Sequence, residues 1–575
     1  MAEPTLSRAP LRMRAALIAI LAIGFLLAAR LFWWQIVEMD KLTARRDDQS
    51  QVSKTIPGLR GDIVTTDGTL LATDVFLYTI TATPKDVRNP ERVAQELAPI
   101  LGQPLDTVLA KLKSSEKNVI LAQNVPQSVG GPAQDLKDRL GLGGLKVEGG
   151  PKRVYPANGF AEHIIGYVNV MRESAYGIER EFDAELRGTD GSITGSSNAY
   201  RDIIPFELPA SKPATDGAKI VLTLHSGIQR IAETELLNSI RDTRSAGGTI
   251  IVMDVKTGAI LAMASYPSAD LNAYYDAANK DKYSNPAISA QYEPGSVFKV
   301  VTVACALEAG TVNINSSFED TGVITIGGRD IRNHENIAPG HVSLTDVLRL
   351  SLNVEAAKIS VGMGAGRFYQ CVNKFGFGAP TRIDLASEVA GKVKSVGDGE
   401  WREVDLATNS FGQGIAVTPL QMLTAISAVA NQGKLVRPYI VQEIQPANGR
   451  ARKTNPEVVR QVIRSETAQT LTKILSDTIG AESTNKAIVP GYRIAGKTGT
   501  AQIPIAGILD PRWTIASFAG YLPADDPHFA ILVKLDKPQT SEWGSQVASP
   551  VFAAVAKQIV SIVGLPPDSA RVASK

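Results

Sequence analysis

Ser296 and Lys299 stand three residues apart in Glu293-Pro294-Gly295-Ser296-Val297-Phe298-Lys299, where an almost wholly uncharged run over residues 297–309 begins. A hydroxyl and an amine at i and i+3 share one helical face, so the amine can reach the hydroxyl. Pro294 and Gly295 break any preceding element, which predicts Ser296 at a helix N-terminus. There the helix dipole favours a developing alkoxide and free N–H groups can bind an oxyanion. Burial would disfavour the ammonium form of Lys299 and leave a neutral amine to act as base. The chemistry implied is acyl transfer through a serine ester.

Ser-x-x-Lys alone proves little, because it recurs at Ser114 to Lys117 and at Ser483 to Lys486, neither of which opens an apolar helix. A serine acyltransferase needs two further elements in order, a proton relay and a strand that binds a carboxylate. Ser351-Leu352-Asn353 ends a helical pattern over residues 344–350, and Lys497-Thr498-Gly499-Thr500 follows Gly491-Tyr492-Arg493-Ile494-Ala495-Gly496. Decoys of these triplets occur at Ser196 to Asn198, Ser483 to Asn485 and Lys256-Thr257-Gly258. The last joins two apolar runs and reads as a hairpin turn. Ser296, Lys299, Ser351, Asn353 and Lys497 are therefore expected to share one cleft. Asp270 and Asn272 read as structural, and the Phe411 to Gly414 stretch reads weakly as a wall of the site.

The trio of motifs resembles that of penicillin-binding proteins and class A β-lactamases. The chain is similar to a class B penicillin-binding protein, a monofunctional peptidoglycan D,D-transpeptidase of the division or sporulation type. Supporting stretches are Arg60-Gly61-Asp62-Ile63 with Asp67-Gly68 and Leu71-Ala72, Arg153-Val154-Tyr155-Pro156, and Gly177-Ile178-Glu179. Further ones are Phe411-Gly412-Gln413-Gly414 with Thr418-Pro419-Leu420-Gln421, and Ala501-Gln502. Val297 stands where a threonine is usual and Thr66 where an arginine is common, and neither departure removes a catalytic group.

The resemblance implies a Ser296 acyl-enzyme, with Lys299 as base, Ser351 and Asn353 as relay and orienting groups, and Lys497 as an added positive charge. Thr498, Gly499 and Thr500 would bind the substrate carboxylate and the oxyanion, the latter through the N–H groups of Ser296 and Thr500. It implies stem peptides and β-lactams as ligands, and a glycan-polymerising membrane partner of the shape, elongation, division and sporulation family, besides other cell-wall synthesis proteins. Septal synthesis is preferred over elongation because the N-terminal module lacks large insertions. A membrane-bound serine β-lactamase, a β-lactam sensor and an inactive cell-wall scaffold are the alternatives.

Other patterns exclude more than they assert. A chain of 575 residues with 44% hydrophobic residues and a net charge of +2 is an ordinary multi-domain protein with no call for nucleic acid. The five histidines, His163, His225, His334, His341 and His528, show no metal-ligand spacing, so neither metal nor cofactor is expected. The two cysteines, Cys305 and Cys371, are too few for a disulfide framework, and Cys305, in the apolar helix behind Ser296, reads as a buried free thiol.

The elements that must carry these residues begin in a membrane. Residues 15–37 form an apolar run of about 23 residues, roughly 34 Å as a helix and long enough to span a bilayer. Arg8, Arg12 and Arg14 precede it, which predicts a cytoplasmic tail over residues 1–14 and an extracytoplasmic remainder. Residues 38–214 are expected to form a stalk and a pedestal resembling the penicillin-binding protein dimerisation domain. Residues 215–563 are expected to form the transpeptidase domain, and residues 564–575 a disordered tail. Strands at both ends around a helical middle predict an α+β, penicillin-binding/β-lactamase-like fold with one sheet built from distant sequence.

Overall fold

The computed structural model describes residues 9–41, 51–157, 159–196, 210–276, 278, 281–394, 396–481, 486–505 and 508–573. The decoy triplets at residues 196–198 and 483–486 fall wholly or partly outside these, as do residues 1–8 of the expected tail and 42–50 of the expected stalk. The chain divides into two compact units, Met1–Gly58 with Thr189–Thr215, and Leu59–Gly188 with Asp216–Lys575.

The first unit holds the N-terminal helix Ala9–Phe32, continued by a π-helical turn Trp33–Val37. Leu11–Val37 is long and apolar enough to cross a membrane, and none of its most apolar window is buried by protein. Arg30 lies over the ring of Trp34, its guanidinium carbon 5.8 Å from the centroid. At the end of the expected stalk, Gln51–Ile56 is a strand, paired antiparallel with Gly191–Ser196, which pairs in turn with Ala210–Lys212.

In the second unit, a seven-stranded sheet is built around the long strand Leu70–Ala82. The helices Pro90–Leu101, Leu105–Leu112 and Gln127–Leu140 bury their apolar faces against it. Lys219–Leu222, expected to open the catalytic domain, pairs here, parallel to Ile63–Val64 and antiparallel to Val441–Gln445. Three stretches noted in the sequence meet in one buried ionic cluster. Arg60 Nε donates to Glu179 Oε2 at 2.6 Å and Arg153 Nε to Glu179 Oε1 at 2.6 Å, while Arg60 also reaches Asp183 at 2.8 Å. Glu179 is fully buried, so both carboxylate oxygens must be paired where water cannot serve them.

The sheet that carries the site is five-stranded and antiparallel, in the order Ile260–Tyr266, Gly247–Asp254, Phe529–Asp536, Ile508–Leu522, Ala495–Ile505. Its neighbours in space come from opposite ends of the sequence, as an α+β domain of this kind requires. Successive side chains of a strand alternate faces. Ile531, Val533 and Leu535 accordingly join a core with Ser226–Thr243 and Gly544–Ile562, and Ala530 and Leu532 join the core on the opposite side.

That opposite layer contains Pro419–Ala430, buried at all twelve positions, and the nucleophile helix Lys299–Glu308. Pro419–Ala430 carries no charged residue and only three polar ones, as a helix enclosed on all sides does. Its start explains Thr418-Pro419-Leu420-Gln421: the Thr418 hydroxyl accepts from Gln421 N–H, Gln421 Oε1 accepts from Thr418 N–H, and Pro419 occupies the first turn. Lys256-Thr257-Gly258 is the expected hairpin turn between Gly247–Asp254 and Ile260–Tyr266.

Two expectations are corrected. Cys305 is not a free thiol: it forms a disulfide with Cys371, Cα to Cα 5.8 Å, joining the nucleophile helix to Ala365–Lys374. The C-terminal tail is not disordered through residue 573, since Asp568–Ala573 is a helix. Asp568 Oδ2 accepts from Arg493 N–H at 2.7 Å, and Arg571 reaches Asp525 at 2.6 Å, which ties the tail to the domain.

Candidate active site

Gly295 sets the entry to the nucleophile turn. Its φ of +56° is open to glycine at little cost, and a Cβ there would lie 2.8 Å from the carbonyl oxygen of Thr500. Gly295–Phe298 forms a 3₁₀ turn that feeds the α-helix Lys299–Glu308, so Ser296 sits one tight turn earlier than a simple α-helix start. In 3₁₀ geometry residues i and i+3 eclipse, which places Lys299 beneath Ser296.

Lys299 is fully buried. Its Nζ lies 3.2 Å from Ser296 Oγ, 3.2 Å from Ser351 Oγ and 2.8 Å from Asn353 Oδ1, and 2.5 Å from the carbonyl oxygen of Ser351. Burial drives its pKa well below the usual lysine value, and the positive charge of Lys497 pushes in the same direction. That coupling places Lys497 electrostatically beside the serine-lysine pair. Lys497 Nζ also donates to Thr498 Oγ1 at 3.3 Å.

Ser351 lies between the helices Leu344–Arg349 and Asn353–Met363 with φ +56°, a left-handed conformation rare for a residue with a Cβ. This turn aims both its hydroxyl and its carbonyl at Lys299. Strain of this kind persists where the surroundings over-determine it. Here Asn353 Nδ2 donates to the Arg332 carbonyl at 3.2 Å and Asn333 Oδ1 accepts from Val354 N–H at 3.0 Å, locking the turn to the preceding loop.

Ala495–Ile505 is an edge strand, and its outward face meets the nucleophile turn. A Cβ on Gly499 would lie 2.9 Å from the Pro294 carbonyl and 2.8 Å from a Val297 methyl, so only glycine lets the strand approach this closely. The Thr500 carbonyl faces Gly295. In a strand, N–H and C=O of one residue point to the same side, so Thr500 N–H faces the nucleophile as well. The Thr500 hydroxyl accepts from Gly544 N–H at 3.2 Å, which leaves it to act toward a substrate as a donor.

The support behind the nucleophile comes from backbone groups that residue types do not reveal. Gly295 N–H donates to the Gly412 carbonyl at 3.1 Å, Gly414 N–H to Glu293 Oε1 at 2.9 Å, and Thr302 Oγ1 to the Ser410 carbonyl at 2.7 Å. Phe411-Gly412-Gln413-Gly414 is thus a brace for the turn. Asp270 and Asn272 are structural as expected: Asn272 clamps both backbone groups of Tyr155, at 3.1 and 3.0 Å. The rings of His334 and Trp543 pack edge to face with centroids 4.4 Å apart, Trp543 standing next to Gly544. Aromatic and histidine singles carry no periodicity that would have flagged them.

The chain is similar to known proteins. Residues 248–557 match the penicillin binding protein transpeptidase domain, and residues 55–222 the penicillin-binding protein dimerisation domain. The chain is 31% identical to stage V sporulation protein D of Bacillus subtilis, over 98% of this chain and 88% of that one. It is 29% identical to the peptidoglycan D,D-transpeptidase FtsI of Escherichia coli K12, over 97% and 92%. Among solved structures, penicillin binding protein 3 of Mycobacterium tuberculosis, complexed with aztreonam, is similar at 25% identity and a TM-score of 0.68, covering 89% of this chain and 98% of that one. With a family match over more than half its length and a relative aligned from end to end, the chain belongs to the class B penicillin-binding proteins.

Proposed function

We propose that the protein is a serine D-alanyl-D-alanine transpeptidase that crosslinks peptidoglycan stem peptides, with Ser296 as nucleophile. The observation that carries this is the convergence on Lys299 Nζ of three side chains from two separate motifs, Ser296, Ser351 and Asn353. Ser296 Oγ attacks the carbonyl between two terminal D-alanines as neutral Lys299 takes its proton. The oxyanion is held by the N–H groups of Ser296 and Thr500, a contribution of about 3 kcal/mol for each donor. Ser351 passes a proton to the leaving amine, D-alanine departs, and an amine of a neighbouring stem peptide attacks the ester. Lys497, Thr498 and the Thr500 hydroxyl bind the substrate carboxylate, and the Gly499 position keeps the strand close. β-Lactams acylate the same serine, in keeping with the relative crystallised with aztreonam.

Residues 1–14 are assigned to the cytoplasm and residues 38–575 to the outside, on the three arginines before the apolar helix. The Cys305–Cys371 disulfide supports this, because disulfides persist mainly in oxidising compartments. The pedestal is assigned to residues 38–214, the transpeptidase domain to residues 215–563, and the glycan-polymerising partner to contacts through the membrane helix and pedestal. A pedestal without large insertions favours septal synthesis over elongation.

Purified protein given a pentapeptide donor and a stem-peptide amine acceptor is expected to release D-alanine and form a crosslinked product. Release without any crosslink, even with the polymerising partner present, would contradict the transpeptidase reading. A fluorescent fusion is expected at the septum, and a side-wall distribution would move the protein to elongation.

A further inference from the structure

A cavity of about 320 Å³ lies away from the nucleophile, between the end of Ala365–Lys374, the buried helix Pro419–Ala430 and the paired strands Lys434–Val436 and Val458–Gln461. That volume is at the lower end for small-ligand sites. Phe375, Phe377, Leu435 and Val459 give it apolar walls, and three arginines, Arg382, Arg437 and Arg460, line it with no acidic residue among the lining groups.

The arginines are placed by the fold. Arg382 has φ +62°, and the Glu388 carboxylate fixes that turn by accepting from Arg382 N–H at 2.9 Å and from Thr381 N–H at 2.7 Å. Arg437 donates to the Arg382 carbonyl at 3.2 Å. Glu457 bridges the two guanidinium groups, at 3.1 Å to Arg382 and 2.9 Å to Arg437. One carboxylate thus faces two guanidinium groups, and among the described residues Arg460 has no ion pair. Asp384 also lies within electrostatic reach of Arg437, so the charge left for a ligand is that of Arg460, which beside an apolar wall matches a ligand with an apolar body and a carboxylate.

Two connections run from this cavity to the nucleophile. The ring of Phe377 packs on the ring of Phe298, centroids 5.1 Å apart, and Phe298 immediately precedes Lys299. The helix that ends at the cavity is also joined to the nucleophile helix by the Cys305–Cys371 disulfide. A close-packed interior passes a displaced ring on to its neighbour instead of absorbing it.

We propose that this cavity binds a small amphipathic carboxylate of the acidic-peptide class, and that its occupancy changes the reactivity of Ser296 through Phe377 and Phe298. The binding half of this stands alone; the coupling half rests on the assignment of Ser296 as nucleophile.

The test uses the full chain in detergent, with N-acetyl-phenylalanyl-glutamate as probe and the neutral N-acetyl-phenylalanyl-glutamine amide as control. Calorimetric titration is expected to show saturable binding of the diacid, roughly tenfold weaker for the amide and for Arg460→Glu. At saturation the rate constant for penicillin acylation is expected to change by roughly fivefold. Arg460→Glu loses that change while keeping the rate seen without probe, and Phe377→Leu keeps binding but loses the change. Absent binding, equal binding of diacid and amide, or binding unaltered in Arg460→Glu overturns the site. Acylation that the bound diacid leaves unchanged overturns the coupling. Failure of penicillin to acylate the protein without probe would instead overturn the reading of Ser296.

Discussion

At the residue scale, the account turns on a lysine that must be neutral to act. Lys299 is held below its usual pKa first by burial and then by the charge of Lys497. Taking away a nearby cation stabilises the ammonium form, so Lys497→Gln raises the pKa of Lys299 and reduces its neutral fraction at a given pH. The acidic limb of the pH profile for penicillin acylation is therefore expected to move to higher pH in Lys497→Gln, apart from any fall in the maximum. A limb that stays in place would show that Lys497 does not act through the base. Gly412 gives a second prediction. Its φ is +77° and a Cβ would lie 2.2 Å from the Gly295 carbonyl, so Gly412→Ala must displace the nucleophile turn. A shift near 1 Å costs about 100-fold in rate. Stopped-flow acylation is expected to fall by about that factor while the far-ultraviolet spectrum stays native.

At the element scale, the order of the three motifs was legible because each sits at a change of element. Ser296 opens an apolar helix, Ser351 separates two helices, and Lys497 starts a strand. What the chain order could not show was the brace from Gly412 and Gly414, since a backbone-to-backbone contact between distant loops leaves no mark in residue type. The disulfide was hidden for a related reason: two cysteines at a sequence separation of 66 give no spacing rule, and only the packing of their helices brings them together. The loop they close contains Ser351 and Asn353. Replacing both cysteines with alanine is expected to cost about 2–4 kcal/mol of stability, read by chemical denaturation, because the unfolded chain regains the freedom of that loop. An unchanged midpoint would mean that the bridge does not form in the native protein.

At the scale of the whole molecule, the stretches around Arg60, Arg153 and Glu179 converge on the Glu179 carboxylate, which serves two arginines, one from a loop and one from a strand. Their meeting place required the fold, since residues 60, 153 and 179 are far apart in sequence. Removing one partner of a buried ionic cluster leaves the others unpaired, at a cost of roughly 3–5 kcal/mol. Glu179→Ala is expected to lower the denaturation midpoint accordingly, and a shift no larger than that of an exposed Glu91→Ala would contradict the structural role. The tail helix Asp568–Ala573 was illegible because a short polar segment has no periodicity to read; its docking depends on Arg493 and Asp525, far away in sequence.

All three scales meet in whether Ser296 is acylated and holds its acyl group. Intact-mass measurement of the full-length protein after exposure to a fluorescent penicillin is the most direct check. The expected result is one covalent adduct on Ser296 that persists on standing and is absent from Ser296→Ala. No adduct, an adduct retained in Ser296→Ala, or one shed rapidly by hydrolysis would contradict the account.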